Sequence, residues 1–419
     1  MKGLPRIDPS GWRDLGPRLL WLGLAAGLLL RAAAWALIGD HLPVHGFESG
    51  VISDNLAAGR GYWMPFYFSD VPVRSFIPPL YPTLMALFKM ATPHWVAGLR
   101  VLQIAASLLN AVLAADLAGR WFGRRAMRWT FLAVLFYPVF AIYCLSIFST
   151  TFIMSFVLVL MGLMDRFREL PSLRLGLLTG VVHALAILTS PPLGLLGVLF
   201  LFRLWRNPDP GRWRRTLVYL LALGAVWSPW VIRNAVVHRD ILLTSTNGGF
   251  NFLVGNNPLA GGYTWGDLKE DTFWQVIDRD ALRRLPEPRL EYWFYGRALS
   301  YVREDPGRYL ALFAKKVYYF WWCQDVARFG YPSVWSRAYQ GLYGLILPFA
   351  AAGILFWRRR WRRLFPVFFL FAEYSLLYGA YFVRSRFRWE IEPLLLLFAV
   401  IGWFEVTRRL GGRAAEEPS

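Results

Sequence analysis

Long apolar stretches recur along the whole chain, and they constrain the fold more than any other feature of the sequence. A helix needs roughly twenty consecutive, mostly apolar residues to cross a bilayer. Stretches that meet or approach this length lie at residues 19–38, 96–119, 126–143, 146–164, 173–190, 192–206, 215–232, 338–357, 364–382 and 392–408. The pattern predicts an all-α polytopic membrane protein with a bundle of about ten transmembrane helices.

The composition favours a membrane protein over a soluble protein that binds nucleic acid. Of the 419 residues, 56% are hydrophobic and 17% are aromatic. A formal net charge of +19 would suggest a nucleic-acid partner in a soluble chain, but here the arginines cluster beside the apolar stretches. Such clusters orient membrane helices, because short basic loops stay on the cytoplasmic side. We therefore expect the lipid bilayer as a partner and no nucleic acid.

Six groups of basic residues determine the expected topology. They lie before residue 19, at 120–128, 166–174, 203–215 and 358–363, and after residue 407. All six fall on one side if both termini are cytoplasmic and the segment 78–95 does not cross the membrane. The helix PPLYPTLMALFKM in that segment is too short to span, so we expect it at the outer interface. The prediction is a multi-pass protein of the inner (plasma) membrane.

This topology leaves two long segments outside, at 39–95 and 233–337. The predicted domains are an N-terminal transmembrane module (1–232) that includes the first outer loop, an outer subdomain (233–337), and C-terminal transmembrane helices (338–419). The outer subdomain carries aromatic residues that can form a small core. They are Trp265, Phe273, Trp274, Tyr292, Trp293 and Phe294. The architecture is a helical bundle under a small outer cap.

Glu48 follows the first predicted span by about ten residues and is the leading candidate for a catalytic group. An ionisable side chain near hydrocarbon is costly unless it is paired or wetted, which favours a functional role. The same position at the start of a short helix also suits a simple first-turn acid that is stabilised by the helix dipole. His45 and Arg74 lie in the same loop and are candidates for lining a site.

Arginines between the last two spans break the charge rule that the other loops follow. Arg384, Arg386 and Arg388 are predicted on the outer side, and arginine offers a forked pair of donors to phosphate. An anion site is one interpretation; pairing with Glu390 and Glu392 or with lipid headgroups is the other. Arg233, directly after the seventh span, can reach the same cavity or extend to the interface.

The stretch STNGGFNFLVGNNP (residues 245–258) favours tight turns with exposed backbone N–H groups. Asn247, Asn256 and Asn257 are therefore candidates for binding donor phosphate or sugar hydroxyls. A purely structural turn is the alternative. The stretch is not a nucleotide-binding loop, because it lacks the Lys-Ser/Thr ending and the strand–helix context.

Several motifs, taken in order, resemble those of bacterial family 39 glycosyltransferases. They are ESGVISDNLAAGRGY (48–62), PPLYP (78–82), WVIRN (230–234), STNGGFNFLVGNNP (245–258) and RSRFRWEIEP (384–393). The resemblance implies the GT-C membrane fold of the protein mannosyltransferase and aminoarabinose transferase group. It also implies transfer of a sugar from a polyprenyl-phosphate donor at the outer, periplasmic face to an envelope lipid, glycan or protein.

The first loop departs from the family pattern in one respect. Many members begin it with an Asp-Glu pair whose Asp is the base, whereas here Glu48 is the only acid and His45 or a neighbour stands near the Asp position. We expect Glu48 to deprotonate the acceptor hydroxyl, with inversion at the anomeric carbon. His45 is the alternative base, because its intrinsic pKa is near neutral. A divalent metal is compatible with the sequence, but no spacing of candidate ligands indicates one. No other cofactor is expected.

Two other functions are open at this point. A transporter or flippase for lipid-linked saccharides would also need a prenyl groove and arginines for phosphate, but acids inside the predicted spans are few. An inactive GT-C relative that acts as a scaffold is the third possibility. Arg31, inside the first span, is expensive in lipid and should face the bundle or extend to the interface.

Overall fold

The structure is a computed structural model that describes residues 14–169, 171–206, 210–262, 270–322 and 333–410. In these ranges the first ten helices are α1 Pro17–Ile38, α2 Phe47–Ala57, α3 Leu80–Ala91, α4 Trp95–Phe122, α5 Arg124–Leu135, α6 Pro138–Tyr143, α7 Thr150–Glu169, α8 Leu173–Ile187, α9 Leu195–Arg206 and α10 Arg212–His238. The others are α11 Asn247–Gly255, α12 Glu270–Val276, α13 Arg279–Arg284, α14 Glu287–Glu304, α15 Pro306–Trp321, α16 Ser333–Trp357, α17 Trp361–Ala380, α18 Ser385–Trp389 and α19 Glu392–Leu410.

The described residues confirm the predicted all-α class. Their strands are β1 Met64–Pro65 and β2 Pro72–Val73, a small antiparallel pair in which Met64 faces Val73. Five described segments are long and apolar enough to cross a membrane: Pro17–His41, Trp95–Phe122, Thr150–Glu169, Arg212–His238 and Val334–Ala380, which contains most of α16 and all of α17. The chain is therefore a multi-pass membrane protein.

The predicted continuous span at 126–143 is wrong. This stretch forms two helices, because α5 ends at Leu135 and α6 begins at Pro138. Proline lacks the N–H that would continue the helical ladder, and it forces the preceding residue into an extended conformation, as seen at Tyr137. The chain then remains irregular from Cys144 to Ser149.

One face of α4 provides hydrogen-bond donors to the backbone carbonyls of this irregular stretch. The Arg100 Nε donates to the Leu145 carbonyl at 2.9 Å, and the Gln103 amide donates to the carbonyls of Cys144 at 2.7 Å and Ser146 at 2.8 Å. An unpaired carbonyl in a bilayer costs several kcal/mol, so irregular backbone survives there only with such partners. The polar residues of α4 thus make the break possible.

Arg31 of α1 joins the same network. It faces the bundle, which is one of the two orientations expected from the sequence. Its guanidinium donates to the carbonyl of Leu135, the last residue of α5, at 3.1 Å. It also donates to the hydroxyl of Ser107 on α4 at 2.8 Å. The side chain is fully buried, and its N–H groups donate hydrogen bonds to the end of α5 and to α4 rather than facing lipid.

Described residues of three basic groups, those at 120–128, 166–174 and 358–363, meet at one end of the bundle, which we call the basic end. There Asp116 pairs with Arg120 at 2.9 Å and with Arg166 at 3.1 Å. Arg363 at the start of α17 pairs with Glu169 at the end of α7 at 3.1 Å. These contacts join the ends of three helices that carry separate basic groups in the sequence.

The opposite end, the capped end, carries the first connecting segment (39–94) and the second connecting segment (239–332). They share one hydrophobic core, in which Phe66 of the first packs on Phe250 at 4.9 Å and on Phe294 at 5.7 Å. Of the predicted core aromatics, Phe273 and Phe294 are buried, Trp274 and Trp293 are half-buried, and Trp265 lies outside the described residues.

Tyr292 was wrongly assigned to that core, since 69% of it is exposed. The inner face of α14 is formed by Leu290, Phe294 and Ala298, which repeat every four residues. Tyr292 lies two residues from each of the first two and so falls on the opposite side of the helix.

Candidate active site

Glu48 lies in the first turn of α2, at the capped end. Gly46 precedes the helix with a φ of +71°, a left-handed conformation that glycine adopts without strain, and Phe47 follows with a φ of 48°. This turn sets the half-buried Glu48 carboxylate beside the positive end of the helix dipole. In the described part of the chain, its Oε2 atom accepts no hydrogen bond, so this oxygen is available to a ligand.

Tyr67, after β1, holds the other oxygen of this carboxylate. Its hydroxyl donates a hydrogen bond to Glu48 Oε1, and its ring stacks on Phe250 with centroids 5.3 Å apart. Burial raises the pKa of Tyr67 well above its ordinary value, and the negative charge of Glu48 raises it further. Tyr67 therefore stays protonated at neutral pH and acts as a permanent donor to Glu48.

The arginine loop, residues 381–391 between α17 and α19, brings Arg384 close enough to Glu48 for the two charges to interact. Burial and the charge of Arg386 together lower the pKa of Arg384 to about 10, and the Glu48 carboxylate opposes the shift. Both arginines also act on Tyr67 through their charge. Arg384, Arg386, Tyr67 and Glu48 thus lie in one electrostatic neighbourhood, and Arg384 stays charged at neutral pH.

Arg386 keeps its donors available. Its guanidinium lies over the Phe148 ring, 4.8 Å from the centroid. In the part of the chain that the structure describes, it donates no hydrogen bond and forms no ion pair within 4.0 Å. A half-buried guanidinium of this kind is suited to an anionic ligand, because phosphate oxygens accept its forked N–H groups.

A series of aromatic rings leads from Glu48 to an apolar groove. Phe47 stacks on Phe148 at 5.7 Å, Phe148 stacks on Tyr143 at 5.7 Å, and Tyr143 meets Trp389 edge-on at 4.5 Å. Tyr143 and Trp389 also line the groove, whose volume is about 350 Å³. The other lining residues are Pro138, Val139, Ile142, Val334, Trp335, Ala338, Tyr339 and Leu342, on α6 and α16.

Arg388, which was predicted to join the other two arginines, points into the bundle. It is fully buried and donates to the carbonyl of Phe320 at 2.6 Å and to the hydroxyl of Tyr339. Tyr339 and Tyr137 both donate to Glu392, the latter at 2.6 Å. Arg388 is thus linked to Glu392 through the Tyr339 hydroxyl, whereas the charge of Arg384 interacts with that of Glu48.

Arg233 and Arg74 lie together, in a cluster that ties the two connecting segments to α10. The Arg233 guanidinium donates to the Arg74 carbonyl at 2.7 Å and to the Ser75 hydroxyl at 2.8 Å. The Ser75 backbone N–H in turn donates to Glu287 at the start of α14 at 2.8 Å. The structure brings these arginines into loop contacts rather than beside Glu48; the Arg74 side chain is exposed.

The glycine- and asparagine-rich stretch forms helix α11 instead of an open turn. The backbone N–H groups of Gly248 and Gly249 in its first turn lie close enough to the Glu291 carboxylate of α14 to stabilise its charged form. Burial raises the pKa of Glu291 to about 7. An acid of α14 therefore faces the N–H groups that the sequence analysis assigned to a phosphate or sugar.

The three asparagines of this stretch make internal contacts. Asn247 accepts a hydrogen bond from Ser245 at 3.0 Å and is half-buried. Asn257 is buried and closes the end of α11 through the Leu253 carbonyl at 3.0 Å. Asn256 is buried between α11, α15 and α17 and has both ends of its amide engaged. Only Asn247 has a side chain with free surface.

His45 lies in the bend before α2 and is exposed. Gly50 packs against it so closely that a Cβ atom there would stand 1.7 Å from the His45 carbonyl oxygen. Among the described residues, no group of three or more His, Cys, Asp or Glu side chains is placed to hold a metal ion.

Sequence reasoning missed Tyr67, Phe148 and Tyr143. The signal for Tyr67 was present in the aromatic-rich run YWMPFYF (62–68), which lies between a glycine-rich stop and PPLYP. No comparable signal marks Phe148 and Tyr143, because they fall in a stretch that looks like an ordinary apolar span.

Two crystal structures of ArnT from Cupriavidus metallidurans are weakly similar to this chain. The one bound to undecaprenyl phosphate has 15% identity and a TM-score of 0.43, covering 96% of this chain and 82% of that one. The apo form has 16% identity and a TM-score of 0.39, covering 95% and 81%. No curated protein matches the chain.

A family comparison is more informative. Residues 50–245, slightly less than half of the chain, match the Alg9-like mannosyltransferase family. The matched region begins two residues after Glu48 and ends at the start of the STNGG stretch, so it contains Tyr67. This is a different family from the one suggested by the motifs, but it is of the same GT-C type. The chain is a membrane glycosyltransferase of the GT-C type.

Proposed function

We propose that the protein transfers a sugar from a polyprenyl-phosphate donor to a hydroxyl group of an envelope acceptor, with the reaction at the capped end. The observation that carries this proposal is the convergence of Glu48, Tyr67, Arg384 and Arg386 on one neighbourhood. A carboxylate with an available oxygen beside two guanidinium groups suits a reaction that takes up a proton and releases a phosphate.

In the proposed reaction, Glu48 Oε2 accepts the proton of the acceptor hydroxyl. The acceptor oxygen attacks the anomeric carbon, and the bond from that carbon to the phosphate oxygen breaks with its electron pair on the phosphate. A phosphodiester becomes a phosphomonoester, so negative charge develops on the leaving group. Arg384 and Arg386 would stabilise this charge, since cations that are already in position lower the barrier without reorganisation. The hydrogen bond from Tyr67 would hold the Glu48 carboxylate in the orientation that accepts this proton.

The apolar groove beside Trp389 is the proposed site of the prenyl chain. It begins where the aromatic series from Glu48 ends, and its lining is dominated by aliphatic and aromatic side chains of α6 and α16. A phosphate bound by Arg386 would lie next to Phe148 and Tyr143, from where a chain can enter the groove. An apolar groove that opens beside a charged site fits a ligand with one polar end and one apolar end.

The charge distribution supports an orientation. Short basic loops remain in the cytoplasm, so the basic end would face inward and the capped end would lie on the outer face of the inner membrane. Both termini follow as cytoplasmic. The acceptor would then be an envelope lipid, glycan or protein.

The central test measures sugar transfer by the purified protein in lipid nanodiscs, with radiolabelled polyprenyl-phosphate sugar and an envelope extract as acceptor. Glu48→Gln should lower turnover by roughly 10²- to 10⁴-fold, the usual contribution of a general base. Glu304→Gln, at the exposed end of α14, is the matched control and should behave as wild type.

The other outcomes of this experiment are equally informative. Full activity in Glu48→Gln, with transfer lost in His45→Gln, would assign the base to His45. Movement of labelled lipid across vesicles without a new glycosidic bond would indicate a flippase. Binding of donor without transfer or movement, for every acceptor extract, would indicate an inactive scaffold.

A further inference from the structure

Lys316 on α15 is a fully buried lysine whose surroundings the proposed mechanism does not use. Helix α15 begins with Asp305 as its N-cap and buries Leu312, Lys316 and Phe320 on one face. The Lys316 ammonium donates to Asn256 Oδ1 at 2.6 Å and approaches the Ala380 carbonyl at 3.4 Å. Within the described residues it has no ion-pair partner within 4.0 Å. A buried cation without an anion is costly, so its contacts require an explanation.

Both partners of Lys316 lead to the end of α17. The Asn256 amide donates to the Ala380 carbonyl at 2.7 Å, so Asn256 links the lysine to the last residue of that helix. The final carbonyls of a helix have no partner within the helix and carry the negative end of its dipole. A lysine and an amide are suitable ligands for such a helix end.

The next residue, Tyr381, is held from two further directions. Gly255, the last residue of α11, packs so closely that a Cβ atom there would stand 1.9 Å from the Tyr381 carbonyl oxygen. The hydroxyl of Tyr295 on α14 forms a hydrogen bond of 2.8 Å with the Tyr381 hydroxyl. Helices α11, α14 and α15 of the second connecting segment therefore grip Ala380 and Tyr381.

This grip lies at the first residues of the arginine loop. Arg384 follows Tyr381 by three residues, and α18 with Arg386 begins directly after it. Phe382, between them, packs against the shared core of the capped end. The arginine loop is short, so a displacement of Ala380 or Tyr381 would also displace Arg384 and Arg386. Misplacement of a binding group by about 1 Å can cost on the order of 10²-fold in rate.

We propose that Lys316, Asn256 and Gly255 form a positioning clamp, which holds the origin of the arginine loop so that Arg384 and Arg386 meet the donor phosphate. This inference rests on the proposed function for the role of the arginines, but the clamp itself is a statement about the loop. Lys316 is a positioning residue here and does not touch the substrate. The second connecting segment thereby acts on the reaction through the loop, although none of its charged side chains needs to reach the donor.

The first test compares Lys316→Met with Lys315→Met, an exposed neighbour on the same helix. We expect Lys316→Met to raise the donor KM by about ten-fold or more, with a smaller change in kcat, because the phosphate-binding groups are displaced. Lys315→Met should keep wild-type values. Hydrogen–deuterium exchange of the amides at 381–391 provides the second readout, and exchange should be faster in Lys316→Met alone.

Two milder variants keep the proposal testable if Lys316→Met does not fold. Tyr295→Phe removes only the hydroxyl contact with Tyr381, and the exposed Tyr292→Phe is its control. Gly255→Ala introduces the collision with Tyr381, whereas Gly296→Ala meets nothing within 4 Å. Both clamp variants should raise the donor KM and accelerate exchange in the loop, relative to their controls.

The possible results separate the clamp from the proposed function. Unchanged exchange at 381–391 in all folded clamp variants would overturn the clamp. Faster exchange with an unchanged donor KM would make the contacts structural only and overturn the positioning role. A wild-type protein without any transferase activity would overturn the proposed function, while the exchange data would still decide whether the clamp holds the loop.

Discussion

The Tyr67 hydroxyl donates a hydrogen bond to the Glu48 carboxylate, and the two residues come from elements 19 positions apart in the sequence. The Tyr67 ring is in turn stacked on Phe250 of the second connecting segment. The orientation of the candidate base thus depends on a core that both connecting segments build. This arrangement explains how a single acid at the start of a short helix can be held in place.

Removal of this hydroxyl should reduce transfer without unfolding the protein. In Tyr67→Phe the ring and its stacking remain, but Glu48 loses a donor whose net value to a charged group is about 1.5 to 3 kcal/mol. We expect kcat to fall by roughly ten-fold or more, measured with saturating donor. Tyr292→Phe, on the exposed side of α14, is the matched control. A kcat within two-fold of wild type would show that Tyr67 does not position the base.

Arg384 and Arg386 should contribute to donor binding in a salt-dependent manner. Each Arg→Ala variant loses charge-assisted hydrogen bonds worth about 1.5 to 3 kcal/mol, so the donor KM should rise by roughly 10- to 100-fold. Lysine at either position should recover only part of this loss, because it lacks the forked donor geometry. Arg289→Ala, an exposed residue of α14, is the control. Donor affinity that is unchanged in both variants would place the phosphate elsewhere.

Arg388→Met should affect stability rather than donor binding. This guanidinium is fully buried and donates to Phe320 and Tyr339, and Tyr339 also donates to Glu392. Removal of one member of a buried charged network leaves the others unpaired, at a cost of about 3 to 5 kcal/mol. Thermal unfolding in detergent should show a clear loss in Arg388→Met that Glu392→Gln in the same chain partly restores. An unchanged melting temperature would contradict the buried network.

The sequence was sufficient to predict the bundle, but it did not predict where the bundle is broken. Long apolar runs correctly indicated α1, α4 and α7, since length and hydropathy are local properties. The end of α5 is bound by Arg31 and the irregular stretch after α6 is bound by Gln103, through hydrogen bonds that span 104 and 41 residues of sequence. Such long-range partners leave no periodic pattern in a single chain.

The sequence marks the candidate site where charge breaks a rule, but it does not show which side chains packing turns away from that site. Glu48 and the arginine motif stood out because charged groups near a membrane are costly. The motif itself did not separate Arg386 from Arg388, although both lie on α18. Residues two apart on a helix are separated by about 200°, so they cannot face the same cavity. Recognition of α18 as a helix would have made the distinction.

A bulky side chain in the apolar groove should weaken binding of long-chain donors. Ala338→Trp would fill part of the volume of about 350 Å³ between α6 and α16. Displacement of about two methylene groups costs roughly 1.6 kcal/mol, which is about a ten-fold rise in donor KM. A donor with one isoprene unit should be unaffected. Leu345→Trp, on an exposed position of the same helix, is the control; equal effects on short and long donors would show that the chain lies elsewhere.

Lys316 should make the stability of the protein depend on pH above neutrality. Burial lowers the pKa of Lys316 to about 7 in the folded state, from an ordinary value of 10.5. The unfolded chain therefore holds more protons between these two values, and stability rises with pH across that window. Below about pH 7 both states are protonated, and the full cost of the buried charge is present. Among the described residues, the Tyr309 ring lies 5.7 Å from the ammonium, and burial raises the pKa of Tyr309, so this group does not titrate between pH 7 and pH 9.

The measurement is the difference in melting temperature between wild type and Lys316→Met in nanodiscs at pH 7 and pH 9. Other groups that titrate in this range affect both proteins equally, so their contribution cancels in the difference between the two melting temperatures. Relative to the variant, wild type should gain on the order of a few degrees between the two pH values. Lys315→Met should follow the wild-type curve, because its ammonium is exposed in the folded state. A wild-type curve parallel to that of Lys316→Met would mean that Lys316 keeps its ordinary protonation when it is buried.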